Sequence, residues 1–139
     1  MAARPSDIEA HGTSKLRVAE EFFACVEQGD FAGMRACYAP NATVWHNDGL
    51  PEQTLDENIA LVTAVASVLS GLRYDVIRRA EVEDGVYTQH VLCGDLPDGT
   101  ELRVDAVMFL HIANDRIHRV EEYFDSRQVD HLSRALASG

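Results

Sequence analysis

The sequence predicts a single α+β domain in which a curved, antiparallel or mixed β-sheet forms a cone around an apolar pocket closed by N-terminal helices. Two observations lead to this prediction. The first half of the chain shows apolar residues at helical spacing, and after residue 71 apolar and polar residues alternate with a period of two. Helices followed by an antiparallel meander are typical of α+β domains, and a strongly twisted meander curls around its concave face.

Two helices are predicted before the first strand. Apolar residues recur at helical spacing over Ser14–Gln28, and Gly29 ends this helix. Asp30 can cap a second helix over Phe31–Tyr38 by accepting from its free backbone N–H groups, and Pro40 closes that helix.

The first strand and the third helix follow. Ala42–His46 is a short β-branched segment and is predicted as a strand, with the polar turn Asn47-Asp48-Gly49 after it. Thr54 and Glu57 fit a capping box, and the helix that they open is predicted to continue to about residue 70.

The second half of the chain is predicted as a meander with a final helix. Its turns, at Asp84-Gly85, Pro97-Asp98-Gly99 and Asn114-Asp115, have hairpin chemistry. The predicted strands are Leu72–Glu83, Val86–Cys93, Glu101–Ile112 and Arg116–Asp125. Gln128–Ala137 is amphipathic and is predicted to be a short helix.

Composition limits the possible partners. The 139 residues fit one domain, predicted over residues 13–139, with residues 1–12 as a loose N-terminal tail. The net charge of −11 argues against nucleic acid and anionic membranes as partners, and no apolar run is long enough to span a bilayer. Three cysteines without a CxxC motif, and no apolar leader segment, predict a cytoplasmic protein with reduced thiols.

Three stretches of the sequence carry a family resemblance. They are Gly29-Asp30 with the segment Cys37–Val44, the hairpin Leu96–Gly99, and the last strand from Arg116-Ile117 to Glu122–Asp125. These stretches resemble the nuclear-transport-factor-2-like superfamily, which includes ketosteroid isomerases, SnoaL-like polyketide cyclases, scytalone dehydratases and limonene-epoxide hydrolases. The resemblance implies a cystatin-like α+β barrel and activity as an isomerase, lyase or hydrolase.

The catalytic residues of the epoxide hydrolases are partly kept. Their water-holding Tyr and Asn correspond to Trp45 and Asn47, so the Asn is present. Their Arg-x-Asp motif corresponds to His90 and Leu92, and their last-strand Asp corresponds to Glu122.

The ketosteroid isomerase residues are also replaced. His46 stands where those enzymes carry their Asp base, and Phe22 stands where they carry a Tyr. Their protonated Asp falls near Ala106, next to Asp105. The resemblance therefore implies acid–base chemistry performed by a different set of residues.

Alternation along two strands predicts a catalytic pair. His90 shares a strand face with Leu92, and Glu122 shares one with Val120 and Phe124. If both faces point inward, His90 and Glu122 meet across the sheet. The carboxylate would raise the pKa of the imidazole and burial would lower it, which leaves the pair poised for proton transfer near neutrality.

Two residues at the rim extend this site. His46 would supply a second acid or base, and the Asn47 amide would orient a water or a carbonyl group. The predicted pocket wall is apolar and consists of Phe22, Trp45, Leu92, Met108, Val120 and Phe124.

Alternatives remain for several of these residues. Glu121 rather than Glu122 faces inward if the last strand carries a bulge, and a strand histidine is often a core residue. Asp105 is expected on the outer face, and Tyr38 is a further candidate. No pair of residues has the spacing of an HExxH metal motif, so neither a metal nor another cofactor is expected.

These observations predict a cofactor-independent enzyme for a small hydrophobic cyclic substrate such as a steroid or a polyketide. The reaction would be an isomerisation, cyclisation, dehydration or epoxide hydration. The alternative is a non-catalytic binding module for small hydrophobic ligands, or a dimeric interaction domain. A homodimer is expected through the outer sheet face, where Val107, Phe109 and Ile117 are predicted to be exposed.

Overall fold

The computed structural model describes residues 14–138, so the predicted tail at residues 1–12 lies outside the described part. Within it there are four helices and six strands, and the last four strands follow one another without a helix between them, as the α+β prediction requires. The elements are α1 (Ser14–Gln28), α2 (Phe31–Ala36), β1 (Tyr38–His46), β2 (Gln53–Thr54), α3 (Leu55–Val68), β3 (Ser70–Val82), β4 (Gly85–Asp95), β5 (Glu101–Ala113), β6 (Arg116–Phe124) and α4 (Asp130–Ser138). No helix in this range is both long and apolar enough to cross a membrane.

The strands form one mixed sheet in the order β2-β1-β6-β5-β4-β3. The last four strands are an antiparallel meander, as predicted, and β1 pairs in parallel with β6. The parallel pairing brings the first and last long strands side by side in the middle of the sheet. The α+β fold with a curved mixed sheet is therefore confirmed, and the sheet is not closed into a full barrel.

Local sequence signals explain several of the element ends. The Asp30 carboxylate accepts from the backbone N–H of Gly33 at 2.8 Å and caps α2. Both hydrogen bonds of the Thr54–Glu57 capping box are present at the start of α3. These caps satisfy backbone N–H groups that have no partner within the first turn of a helix.

The start of β1 differs from the prediction. The second helix ends at Ala36 instead of Tyr38, and Pro40 lies inside β1 instead of closing the helix. The pairing of β1 with β6 shifts register between Tyr38 and Thr43, so the strand can hold a residue without an N–H group there. The two-residue strand β2 was not predicted because it is too short to show a pattern.

Most of the core lies between the inner face of the sheet and the helices. On β5, Val104, Ala106, Met108 and Leu110 are buried. The residues between them point to the opposite, outer face. A second, smaller cluster around Leu132 packs α4 against the end of α3 and the neighbouring strand ends.

Ile117 was predicted on the outer face and is fully buried instead. The β5–β6 pairing shifts between His111 and Ile112, because His111 lies opposite Arg119 and Ile112 lies opposite Ile117. His118 is therefore an extra residue on β6, and such a bulge turns the preceding residue to the other face. The prediction for Ile117 is wrong for this reason.

Candidate active site

Six side chains on the inner face of the sheet stay partly exposed. Unlike the fully buried core residues, they keep a fraction of their surface accessible. We call the region that they border the hollow; they are His46, Leu72, Tyr74, Leu92, Glu122 and Phe124.

The β1–β6 register places a histidine beside a glutamate in the hollow. His46 lies directly opposite Glu122, and its Nε2 is 3.2 Å from Glu122 Oε1. The two side chains are 15% and 20% exposed. Because Val44 and Val120 on the same strands are buried, alternation turns His46 and Glu122 inward and Glu121 outward. The question of which glutamate faces the interior is thus answered in favour of Glu122.

The surroundings of this pair act in opposite directions on the imidazole. Burial lowers the pKa of His46, but the hydrogen bond and the negative charge of Glu122, together with the charge of Asp48, outweigh burial and raise the pKa above its ordinary value. The protonated imidazole is therefore stabilised as half of an ion pair. The apolar ring of Phe124 lies beside His46 in an edge-to-face arrangement, with the two ring centroids 5.9 Å apart.

His90 lies deeper than predicted and does not meet Glu122. It is 1% exposed, and its Nδ1 is 3.3 Å from Thr88 Oγ1. Its Nε2 has no hydrogen-bond partner within the described residues. The predicted contact is wrong because β5 lies between the two strands: adjacent strands are about 4.8 Å apart, so residues on β4 and β6 start about 10 Å apart.

Aromatic rings enclose the His90 imidazole. The rings of Phe23 and Tyr74 stand edge-to-face with it, at centroid distances of 5.3 and 5.1 Å. Desolvation by burial lowers the pKa of His90; the negative charge of Glu122 acts against this, and the positive charge of Arg79 acts with it. His90 is therefore neutral in the folded protein at neutral pH.

The Asn47 amide is occupied by the backbone. Its Oδ1 accepts from the N–H of Phe124 at 3.2 Å, and its Nδ2 donates to the Phe124 carbonyl at 3.4 Å. The side-chain amide thus forms the two hydrogen bonds with Phe124 that a backbone N–H and C=O would form in a longer β1 strand. Both polar atoms therefore have a backbone partner, and the role in orienting a substrate or a water stays a prediction.

The residues of the predicted pocket wall lie at different depths. Leu92 and Phe124 border the hollow, whereas Phe22, Met108 and Val120 are buried in the main core behind it. Trp45 is not in the wall. Because His46 points inward, its neighbour Trp45 points outward, where its ring packs against Tyr123 at a centroid distance of 5.1 Å.

Asp105 lies on the outer face, as expected. Its carboxylate accepts from Gln128 Nε2 at 2.8 Å, and its backbone N–H donates to Gln128 Oε1 at 2.7 Å. Asp105 thus anchors the segment between β6 and α4 and lies on the opposite side of the sheet from the hollow.

Tyr38 belongs to a buried polar network. Its hydroxyl donates to Asn58 Oδ1 at 3.2 Å, and Asn58 Nδ2 donates to Gln53 Oε1 at 3.0 Å. Asn58 was not predicted, although its place between Leu55 and Ile59 on the buried face of α3 is a detectable signal.

Tyr74 was also missed. It alternates with Leu72 on β3, and this period of two predicts that both point inward once the inner face is known. No group of three or more His, Cys, Asp or Glu side chains that could hold a metal ion occurs between residues 14 and 138.

Comparisons with solved structures identify the fold. PrhC from Penicillium brasilianum superposes with a TM-score of 0.78 at 13% identity, over 90% of this chain and 89% of that chain. An LEH-like epoxide hydrolase from M. tuberculosis gives 0.71 at 17% identity, over 91% and 94%. A protein from Catenulispora acidiphila with a ketosteroid isomerase-like fold gives 0.71 at 12% identity, over 81% and 88%.

A family comparison is more specific than these structural matches. No curated protein matches the sequence. The family model described as the SnoaL-like domain matches residues 19–120, from the middle of α1 into β6. The match covers most of the chain and includes His46, whereas Glu122 lies two residues beyond its end. The protein therefore belongs to the SnoaL-like domain family, within the nuclear-transport-factor-2-like superfamily.

Proposed function

We propose that the protein is a cofactor-independent enzyme that performs general acid–base chemistry on a small hydrophobic cyclic substrate bound in the hollow. The observation that supports this most directly is the His46–Glu122 pair, 3.2 Å apart and only partly exposed. Its neighbours include the apolar side chains of Phe124 and Met108. A proton-transfer pair beside an apolar surface suits a substrate with few charges.

His46 is the proposed base and Glu122 the residue that orients it. With its Nε2 held by the Glu122 carboxylate, the neutral imidazole carries its free lone pair on Nδ1. Nδ1 can take a proton from a substrate C–H or O–H group, and the carboxylate stabilises the resulting imidazolium. The same Nδ1–H can then return the proton to another substrate atom.

The raised pKa of His46 suits this role. An acid or base is most effective when its pKa lies close to the working pH, and the ordinary value of 6.5 is shifted upward here by Glu122 against the effect of burial. Isomerisation, cyclisation, dehydration and hydration all need one proton removed and one delivered. The epoxide hydrolase among the structural neighbours supports an enzyme on this fold.

The test compares the two adjacent glutamates of β6. Steroid enones, polyketide aldol precursors and epoxides are screened with the wild-type protein, with Glu122→Gln and with the matched control Glu121→Gln. We expect turnover to fall by roughly 10²- to 10⁴-fold in Glu122→Gln, the usual contribution of acid–base catalysis, and to be kept in Glu121→Gln.

Two results would contradict the proposal. One is wild-type turnover in Glu122→Gln, and the other is an equal loss in both variants. If no compound of the panel reacts but one binds in the hollow, the alternative applies: a non-catalytic carrier of small hydrophobic ligands. The burial of His90 favours that alternative, since it takes a predicted catalytic group out of contact with solvent.

A further inference from the structure

Most polar side chains in and behind the hollow already have a partner; His90 Nε2 has none among the described residues, but His90 is fully buried. The Tyr38 hydroxyl donates to Asn58, and the Thr88 hydroxyl contacts the His90 ring. The Asn47 amide pairs with the backbone, and His46 pairs with Glu122. A ligand that needs a hydrogen-bond donor would have to displace one of these contacts or use a different group.

Tyr74 offers such a group. It lies on β3 opposite Leu92 and borders the hollow. Within residues 14–138 its hydroxyl forms no hydrogen bond with another part of the protein. The hydroxyl is also not among the fully buried atoms without a partner, so it keeps some contact with solvent.

The ring of Tyr74 is held in place on two sides. It stands edge-to-face with Phe23 at 4.8 Å and with His90 at 5.1 Å, and its backbone N–H donates to Glu27 at 2.9 Å. A donor on a fixed ring loses little conformational entropy when it binds an acceptor, so a directed hydrogen bond is favoured.

The hydroxyl stays protonated over the working range of pH. Burial raises the pKa of Tyr74 most, and the negative charges of Glu122 and Glu27 raise it further. The influence of Glu122 also places the Tyr74 hydroxyl and the His46–Glu122 pair in one electrostatic environment. Tyr74 is therefore a donor under the conditions in which His46 exchanges a proton.

We infer that Tyr74 is the hydrogen-bond donor of the hollow and that it selects ligands that carry a carbonyl or a similar oxygen acceptor. The inference rests on the proposed function for one point, the binding of the ligand in the hollow. It adds the group that recognises the ligand's oxygen atom, at a residue that was not among the predicted site residues.

The test uses two probes of nearly the same shape. 2-Acetylnaphthalene carries a carbonyl oxygen where 2-isopropenylnaphthalene carries a methylene group. Kd values for both are measured by calorimetric titration with the wild-type protein, Tyr74→Phe and the control Tyr38→Phe. Each variant keeps its ring and loses a hydroxyl, and circular dichroism checks that the fold is retained.

We expect Tyr74→Phe to weaken binding of the ketone relative to the alkene by about 5- to 10-fold, the effect of losing one neutral hydrogen bond. Tyr38→Phe should leave this ratio unchanged, because the Tyr38 hydroxyl is bonded to Asn58. An unchanged ratio in Tyr74→Phe, or an equal change in Tyr38→Phe, would overturn the inference.

Failure of this inference differs from failure of the proposed function. If the wild-type protein binds neither probe, both proposals are contradicted, because the hollow then does not take an apolar ligand. Selectivity for the ketone that depends on Tyr74, without turnover of any compound in the enzymatic panel, would support the donor and contradict the enzyme. Turnover that depends on Glu122, without an effect of Tyr74→Phe on the ratio of the two Kd values, would support the enzyme and contradict the donor.

Discussion

Glu121 and Glu122 are neighbours on β6, and each pairs with a histidine on a different face of the same sheet. On the inner face, Glu122 lies 3.2 Å from His46, with side chains 20% and 15% exposed. On the outer face, Glu121 lies 2.5 Å from His111, with side chains 32% and 33% exposed. A glutamate–histidine pair thus lies on each face of the sheet, and the side chains of the outer pair are about twice as exposed as those of the inner pair.

The surroundings of the two pairs differ more than the pairs themselves. On the outer face, Arg119 lies 3.9 Å from Glu121 and also pairs with Glu52, so solvent and a second cation share the charge. Glu122 has only His46 as an ion-pair partner within residues 14–138. A histidine next to a glutamate is therefore not a site by itself. It becomes a candidate site when apolar neighbours leave the pair to balance its own charge.

The largest expected difference between the two faces is in packing. Val86→Ala on the inner face removes two methyl groups from a fully buried side chain, whereas Val107→Ala on the outer face changes a side chain that is 42% exposed. We expect Val86→Ala to lower the free energy of unfolding by roughly 2–3 kcal/mol and Val107→Ala by less than about 0.5 kcal/mol. Urea unfolding at low protein concentration measures both. Equal losses would show that the outer face is packed as tightly as the core.

The outer face should instead contribute to the association of two copies of the protein. We propose that it forms a homodimer contact, because Tyr87, Val107 and Tyr123 leave 50%, 42% and 54% of their surface exposed on the same side of the sheet. Val107→Lys should then weaken dimerisation by more than about tenfold, since the lysine charge would lose its water. Sedimentation velocity is the measurement. Leu50→Lys, at an apolar residue that is 66% exposed in the loop after β1, is the control. A wild-type monomer at micromolar concentration would contradict this prediction.

The pKa values of the two inner histidines, His46 and His90, should be shifted in opposite directions from the ordinary histidine value. The pKa of His46 is raised, because Glu122 and Asp48 outweigh burial, and the pKa of His90 is lowered, chiefly by burial. In NMR titrations, the His46 midpoint should therefore lie above 6.5, the ordinary histidine value, and the His90 midpoint below it. Midpoints in the reverse order would show that burial, and not Glu122, controls His46.

The same shifts predict how stability depends on pH. A raised pKa means that the folded state holds the proton more tightly, so the contribution of His46 is complete below 6.5 and is lost as the pH rises through its folded-state pKa. The cost of His46→Gln should thus be about 1 kcal/mol or less in mild acid and should shrink at alkaline pH. For His90 the sign is opposite, since its neutral form is favoured: stability falls as the pH drops below 6.5. Unfolding measured at several pH values tests both signs.

The sequence was sufficient for the elements and for the alternation within each strand. The meander, the capping box at Thr54 and the inward face of β5 follow from local patterns, because each depends on residues only a few positions apart. Glu122 was correctly placed inward for the same reason.

Outside the meander, the sequence did not determine which strands are neighbours. The His90–Glu122 contact failed because β5 separates their strands, which the predicted meander already implies, and Ile117 was misplaced by one extra residue in β6. The second error concerns the register within a hairpin. Alternation gives the face of a side chain but neither its partner nor the position of a bulge. The His46–Glu122 contact needs the parallel pairing of β1 with β6, which no local pattern shows.

The smallest expected effect concerns Trp45, the only tryptophan of the chain. It packs against Tyr123 on the outer face, although it is next in sequence to His46 in the hollow. Binding of 2-acetylnaphthalene in the hollow should therefore leave the wavelength of its emission maximum unchanged, whereas dimerisation through the outer face should shift it to the blue as water is excluded. Trp45→Phe should likewise leave the Kd of that ligand within about twofold of wild type, because the side chain does not border the hollow. A blue shift caused by the ligand in a protein that stays monomeric would mean that the ligand binds on the outer face, and the distinction drawn between the two histidine–glutamate pairs would lose its basis.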